Sequence, residues 1–152
     1  MKIGLFFGSF NPIHRGHIQI AKNKKISPFI DEVWFVITPQ SPFKQGKTIT
    51  SYLHRKKMVD IALIDFPNFV ASNIELNLPS PQYTINTMKY LQKTHPTYLF
   101  SIIMGSDNFV DLVNMRWKNS KYILNNFTIF VYNRQTINAF VSLSEYVKKA
   151  YK

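Results

Sequence analysis

Five short runs of this chain are apolar almost throughout: Ile3–Phe7, Val33–Thr38, Phe69–Ile74, Tyr98–Met104 and Phe127–Tyr132. They lack the in–out alternation of a sheet with one wet face, so they predict strands covered on both sides. Between them lie stretches with helical spacing: about Gly16–Lys25, Tyr52–Ile64, Thr84–Thr94 and an interrupted one from Asn108 to Leu124. Strand and helix in alternation predict an α/β fold. The expected architecture is a Rossmann-like doubly wound parallel sheet of about five strands with helices on both faces. A ligand crevice in such a sheet opens at the C-terminal ends of the strands. Pro39–Lys47 and Pro79–Pro81 are the clear loops, and both follow a strand, on the crevice side. Ile137–Lys152 reads as one amphipathic helix with Phe140, Val141, Leu143 and Val147 available for burial.

Composition narrows the picture. The chain has 152 residues, 45% apolar and 15% aromatic, enough for one domain over residues 1–152 with a real core. It holds no cysteine, so neither disulfides nor thiolate chemistry are expected, which suits a cytoplasmic location. No apolar run approaches the ~20 residues of a membrane span, and no cleavable signal pattern opens the chain. No membrane partner is therefore expected. The formal charge of +11 favours polyanions, either phosphorylated small molecules or nucleic acid. Much of that charge follows from a Lys-, Asn- and Ile-rich composition, and Lys22, Lys24, Lys25, Lys56 and Lys57 fall at solvated-looking helix positions. Basic and aromatic residues form no ordered ladder of the kind single-strand binders use, so nucleic acid is not expected.

The chemistry concentrates in Gly8-Ser9-Phe10-Asn11-Pro12-Ile13-His14-Arg15-Gly16-His17, directly after the first apolar run. A strand, a glycine-bearing turn and a new helix make a phosphate cradle, because the helix start offers N–H groups and partial positive charge. His14 and His17 flank that start, three residues apart, so both imidazoles can face one anion. His-x-x-His without a third Cys, His or clustered carboxylate is a poor zinc site, so no protein-held metal is expected. His54 and His95 carry no comparable signal.

This segment resembles the nucleotidyltransferase signature (T/S)-F-x-P-x-H-x-G-H of adenylyltransferases and cytidylyltransferases, itself related to the HIGH motif of class I tRNA synthetases. The resemblance implies that His14 and His17 bind a triphosphate and stabilise the pentacoordinate α-phosphoryl transition state. Gly16 then allows close packing of helix and phosphates, with Gly8, Ser9 and Phe10 completing the ATP side. Ser51–Met58, Gln82–Met88 and Met104–Phe109 with Trp117 narrow the match. In order along Lys2 to Arg134, they look like bacterial nicotinate-mononucleotide adenylyltransferases. The phosphopantetheine adenylyltransferases share the length and the first motif, but their middle segments are absent.

The narrower resemblance implies a role for each matched residue. Gly105 and Asp107 would place the adenosine ribose and phosphates, although Asp107 also suits a plain N-cap. Tyr83 and Thr84 would meet a pyridine carboxylate, and helix capping is compatible with that. Trp117 with Arg116 resembles the nicotinate-stacking site, and a Trp at this spacing equally suits the core. Lys44 stands where many relatives carry a His-Arg pair and would meet an anion as a point charge. Arg134 resembles the family's basic residue near the phosphates, and equally reads as a solvated Arg. Arg55 reads as a helix-packing residue rather than a ligand contact.

The implied reaction is adenylyl transfer from ATP to nicotinate mononucleotide, or nicotinamide mononucleotide, with Mg²⁺ carried by the ATP phosphates. One element departs from the family pattern. Its C-terminal I-S-S/T-T-x-I-R segment, which binds ATP phosphates, has no counterpart after Arg134, where the chain reads Gln135-Thr136-Ile137-Asn138-Ala139-Phe140. The domain therefore reads as truncated or frameshifted relative to the family, or completed by another subunit of a homo-oligomer. Two alternatives stay open on the same fold. One is a weakly active or inactive relative that still binds mononucleotide. The other is a basic nucleic-acid-binding or regulatory module.

Overall fold

The computed structural model describes residues 1–39, 51–133 and, for the backbone, 136–142. Five strands run parallel: β1 (Lys2–Gly8), β2 (Glu32–Ile37), β3 (Phe69–Ser72), β4 (Leu99–Gly105) and β5 (Thr128–Asn133). A sixth, β6 (Thr136–Ser142), closes the order β3-β2-β1-β4-β5-β6 and pairs antiparallel with β5. The expected parallel five-stranded sheet is therefore present, with an antiparallel edge added. β1 sits between β2 and β4, so the chain winds outward on both sides of it. A crevice opens at that reversal, beyond the strands' C-terminal ends.

The helices are α1 (Arg15–Ala21), α2 (Tyr52–Ala62), α3 (Thr84–Thr94), α4 (Ser106–Val113) and α5 (Ser120–Asn126). They divide between the two faces of the sheet, as the apolar strands require. On one face Ile85, Met88 and Leu91 of α3, Leu112 of α4 and Ile123 of α5 pack on Leu5, Ile102 and Ile129. On the other, Ile20 of α1 and Val59 of α2 pack on Phe6, Phe35 and Ile103. No helix among the described residues is long and apolar enough to cross a membrane.

The helix expected over Ile137–Lys152 is not what forms in its described part. Residues 136–142 are strand, and 143–152 lie outside the described residues. Two forces favour this outcome. Thr136, Ile137, Phe140 and Val141 are β-branched or aromatic, types that fit a pleated surface better than a helix. The outer edge of β5 also offers a row of backbone N–H and C=O groups that a neighbouring strand satisfies. The predicted strand Phe69–Ile74 is shorter too, because Ile74 opens a 3₁₀ turn, Ile74–Asn77.

Arg55 ties this frame to the crevice. Its side chain is among the most buried in the protein, at 1% exposure. Nη1 donates to the carbonyls of Ser9 and Thr38, both at 2.8 Å, and Nη2 to that of Pro39 at 2.8 Å. The guanidinium lies 5.3 Å from the centre of the Tyr52 ring, and the Tyr52 hydroxyl donates to the Ile37 carbonyl. One helix thus fastens the chain just past β1 and just past β2. Arg55 packs its helix as the sequence suggested, but it also fixes two crevice loops. Removing it takes the donor from three part-buried carbonyls and empties a buried site, so Arg55→Ala should destabilise the fold by about 3 kcal/mol. For a domain of this size that is a fall in Tm of roughly 6–12 °C, measured by calorimetry. Arg55→Lys should recover little, because a compact ammonium cannot span three acceptors as a planar fork does.

Candidate active site

The turn after β1 is built to set a pair of imidazoles. Phe10 takes a left-handed φ of 47°, an unfavourable conformation for a non-glycine residue. Its ring is anchored in return: it is 2% exposed and packs against Phe6 at 5.6 Å, Phe35 at 5.5 Å and the edge of His17 at 5.1 Å. The chain then reaches His14, the N-cap of α1.

Both imidazoles take part in an unusual reciprocal cap. Gly16 N–H donates to His14 Nδ1 at 3.1 Å, and His14 N–H donates to His17 Nδ1 at 3.0 Å. The rings stack with centres 3.8 Å apart and planes 26° from parallel. A nitrogen that accepts from a backbone N–H carries no proton, so each neutral ring holds its proton on Nε2. The pair therefore presents two N–H donors on the edges away from the backbone. Gly16 is required by the ring itself: a Cβ there would lie 2.9 Å from His14 Cε1 and 3.0 Å from Nδ1.

A cavity of about 870 Å³ opens over these rings. Gly8, Ser9, Phe10, His14, His17 and Asp107 line it, and so do Tyr83, Thr84, Arg116 and Trp117. Sequence positions spread over more than a hundred residues thus meet in one space. Gly16 and Gly105 contribute from behind the wall. A Cβ on Gly105 would sit 2.8 Å from Asp107 Oδ1, so this glycine makes room for the carboxylate. Lys44 and Arg134 lie outside the described residues.

Several local readings are settled by geometry. Asp107 is not an N-cap: Gly105 holds that position, and Asp107 lies in the first turn of α4. The first turn of α3 has no side-chain cap at all, with Tyr83 as its N-cap residue. Trp117 packs partly against the core, so the core and cavity roles coexist. Ser120 Oγ accepts from the Trp117 N–H at 3.0 Å and donates to the Trp117 carbonyl at 2.7 Å. Arg116 is mostly exposed and pairs with Asp111 at 2.9 Å, a surface contact worth at most about 1 kcal/mol.

Among the lining residues to which sequence reasoning gave no role are Lys118, Gln82 and Glu75. Lys118 Nζ lies 5.0 Å from the centre of the Tyr83 ring, joining the loop after α4 to the start of α3. Gln82 reaches from the same start toward the carbonyls of Glu75 and Leu78, at 3.5 and 3.4 Å. Glu75 itself is 1% exposed, and burial pushes its carboxyl up to about 8. The available signal was a lone carboxylate between Ile74 and Leu76, immediately after a strand. No group of three or more His, Cys, Asp or Glu gathers among the described residues.

Known proteins resemble this chain in sequence and in fold. A family model described as cytidylyltransferase-like matches residues 5–150. A Cytophaga hutchinsonii protein named "Probable nicotinate-nucleotide adenylyltransferase" is 44% identical over 134 residues, covering 88% of this chain and 69% of the relative. A Flavobacterium psychrophilum protein of the same name is 46% identical, covering 88% and 68%. The chain belongs to the nicotinate-nucleotide adenylyltransferase family. The fold also matches a nicotinic acid mononucleotide adenylyltransferase of Plasmodium falciparum complexed with NaAD. That likeness has a TM-score of 0.73 at 24% identity, over 91% of this chain and 67% of the other. The same protein complexed with APC gives a TM-score of 0.71 at 23% identity, over 91% and 66%. Against its family relatives, this chain spans a little over two thirds of their length.

The reciprocal cap makes a direct forecast for this family member. Long-range ¹H–¹⁵N spectra at pH 8 should show both His14 and His17 protonated on Nε2, and an Nδ1–H tautomer in either ring would contradict it. Gly16→Ala should break that pattern while leaving Tm nearly unchanged, since Ala in a helix gains about 0.5–1 kcal/mol over Gly.

Proposed function

We propose that this chain transfers the adenylyl group of ATP to nicotinate mononucleotide, forming the dinucleotide nicotinate adenine dinucleotide and releasing pyrophosphate. The observation that carries the reading is the stacked histidine pair, its Nδ1 atoms held by backbone N–H groups, at a cavity also walled by Tyr83, Thr84 and Trp117. The 5′-phosphate oxygen of the mononucleotide attacks the α-phosphorus. A new O–P bond forms, and the bond to the bridging oxygen of pyrophosphate breaks. The attacking phosphate is already anionic at pH 7, its second pKa being near 6, so no general base is needed.

Catalysis is then positioning and charge stabilisation. His14 and His17 donate from Nε2 to phosphoryl oxygens as negative charge builds on them. Because the backbone already orients both rings, little reorganisation accompanies the reaction, which is where preorganised donors gain their effect. Asp107 serves the adenosine ribose and phosphates from the first turn of α4. Tyr83 and Thr84 hold the pyridine carboxylate at the uncapped start of α3, and the Trp117 indole stacks on the pyridine ring. Mg²⁺ arrives with the ATP phosphates as part of the substrate.

The deciding assay incubates the purified chain with ATP and nicotinate mononucleotide and measures dinucleotide and pyrophosphate in equal amounts. Absence of both products would leave only a mononucleotide-binding relative. His17→Ala should lower kcat on the order of 10²–10³, the scale for losing one transition-state donor. A variant within threefold of wild type would contradict the role. Trp117→Ala should instead raise KM for the mononucleotide, by up to about tenfold for a lost stacking contact, with kcat less affected.

A further inference from the structure

Among the described residues, Glu75 is the one acidic side chain of the cavity wall that is fully buried, and part of it is left without a hydrogen-bond partner. It lines the cavity together with Gln82, Tyr83 and Thr84, at 1% exposure, and among the described residues its Oε2 has no hydrogen-bond partner. A buried polar oxygen without a partner is rare enough to require an explanation. Packing does not supply one, because an apolar side chain would fill the same space without the desolvation penalty. Gln82, whose amide reaches the Glu75 backbone carbonyl, immediately precedes Tyr83 and Thr84. The backbone of Glu75 is thus tied to the same helix start that the proposed function assigns to the pyridine substituent, and its side chain shares the cavity wall with Tyr83 and Thr84.

We propose that Glu75 is a specificity-determining residue of this site, meeting the pyridine 3-carboxylate of the mononucleotide as a neutral carboxylic acid that donates its proton in a hydrogen bond. The inference rests on the reading of the cavity as a mononucleotide site. Its chemistry is that of an O–H donor facing an anionic acceptor, a short and strong pairing. In its ionised form the same group would repel that carboxylate and could only accept, which suits the N–H₂ of a carboxamide. One buried side chain thereby makes the choice between acid and amide depend on pH.

The titratable groups around it do not compete. Tyr52 of α2 interacts with Glu75 and is pushed up to about 12 by burial, so it keeps its proton. Arg55 of the same helix stays charged. Tyr83 at the start of α3, Asp107 and Asp111 of α4, Arg116 and Lys118 after it, His14 and His17 at the start of α1, and Tyr132 of β5 also stand on the cavity wall. Burial holds the Glu75 carboxyl protonated up to about pH 8.

The test is the ratio of affinities for nicotinate and nicotinamide mononucleotide, measured by titration calorimetry from pH 7 to pH 9. The two ligands share phosphate and ribose, so titration of every group outside the pyridine substituent cancels in the ratio. The ratio should fall by about tenfold or more across this range as Glu75 loses its proton. Glu75→Gln, which donates from an uncharged amide at every pH, should keep nicotinate mononucleotide binding and flatten the profile. A flat wild-type ratio overturns the proposal and leaves Glu75 as a buried group met by water. Equal loss of both ligands in Glu75→Gln, with an unchanged profile, assigns it a structural role and also overturns it. The wild-type profile is decisive even if the variant does not fold. Dinucleotide formation assayed at pH 7 separates the two readings: turnover with a flat ratio sinks the Glu75 assignment alone, whereas no mononucleotide binding sinks both.

Discussion

Two backbone N–H groups at the first turn of α1 are bonded to imidazole nitrogens, and the rest of the site depends on where those bonds point. A helix start normally satisfies its N–H groups with Ser, Thr, Asp or Asn oxygens. Here His14 and His17 do so with Nδ1, which fixes ring orientation and tautomer together. The arrangement needs the chain to arrive at a steep angle after β1. Phe10, held left-handed and buried against Phe6 and Phe35, supplies that angle. It also needs the turn to stay put, and the Arg55 guanidinium holds the Ser9 carbonyl. The donors facing the cavity are the last link in a chain of contacts that begins in the core.

The sheet places the other half of the site by topology alone. Because β2 and β4 flank β1, the loops after all three open on one side, and α3 and α4 begin there. Tyr83 and Asp107 are separated by a whole helix and strand, yet both starts face the same cavity. Neither helix places a side-chain cap on its first turn. A crevice with two such helix starts and a positive protein around it is suited to ligands with several negative groups.

Much of this was legible in the chain. Strands buried on both faces have no polar alternation to blur their limits, so β1, β2, β4 and β5 fall within a residue or two of their apolar runs. Motif residues were legible because a glycine beside a histidine has a steric reason, visible at Gly16. Residues acting through long-range contacts were not. Nothing local to Arg55 says that its guanidinium meets carbonyls 16, 17 and 46 residues away. Glu75 looked like one carboxylate among eight acidic residues until folding enclosed it. The end of the chain misled for a different reason: residues 136–142 carry apolar positions compatible with either period, and the open edge of β5 decided for strand.

The double hold of Ser120 on Trp117 has a consequence for how a flat ligand enters. With both the amide N–H and the carbonyl of Trp117, on its two flanking peptide units, bonded to a single hydroxyl, the backbone there is held against swinging aside. Only the two torsions of the indole remain. Admission of an aromatic guest would then be a matter of one ring turning on a fixed pivot, quick and local, rather than a segment opening and closing. A cavity walled this way trades adaptability for a ready-made slot of set width.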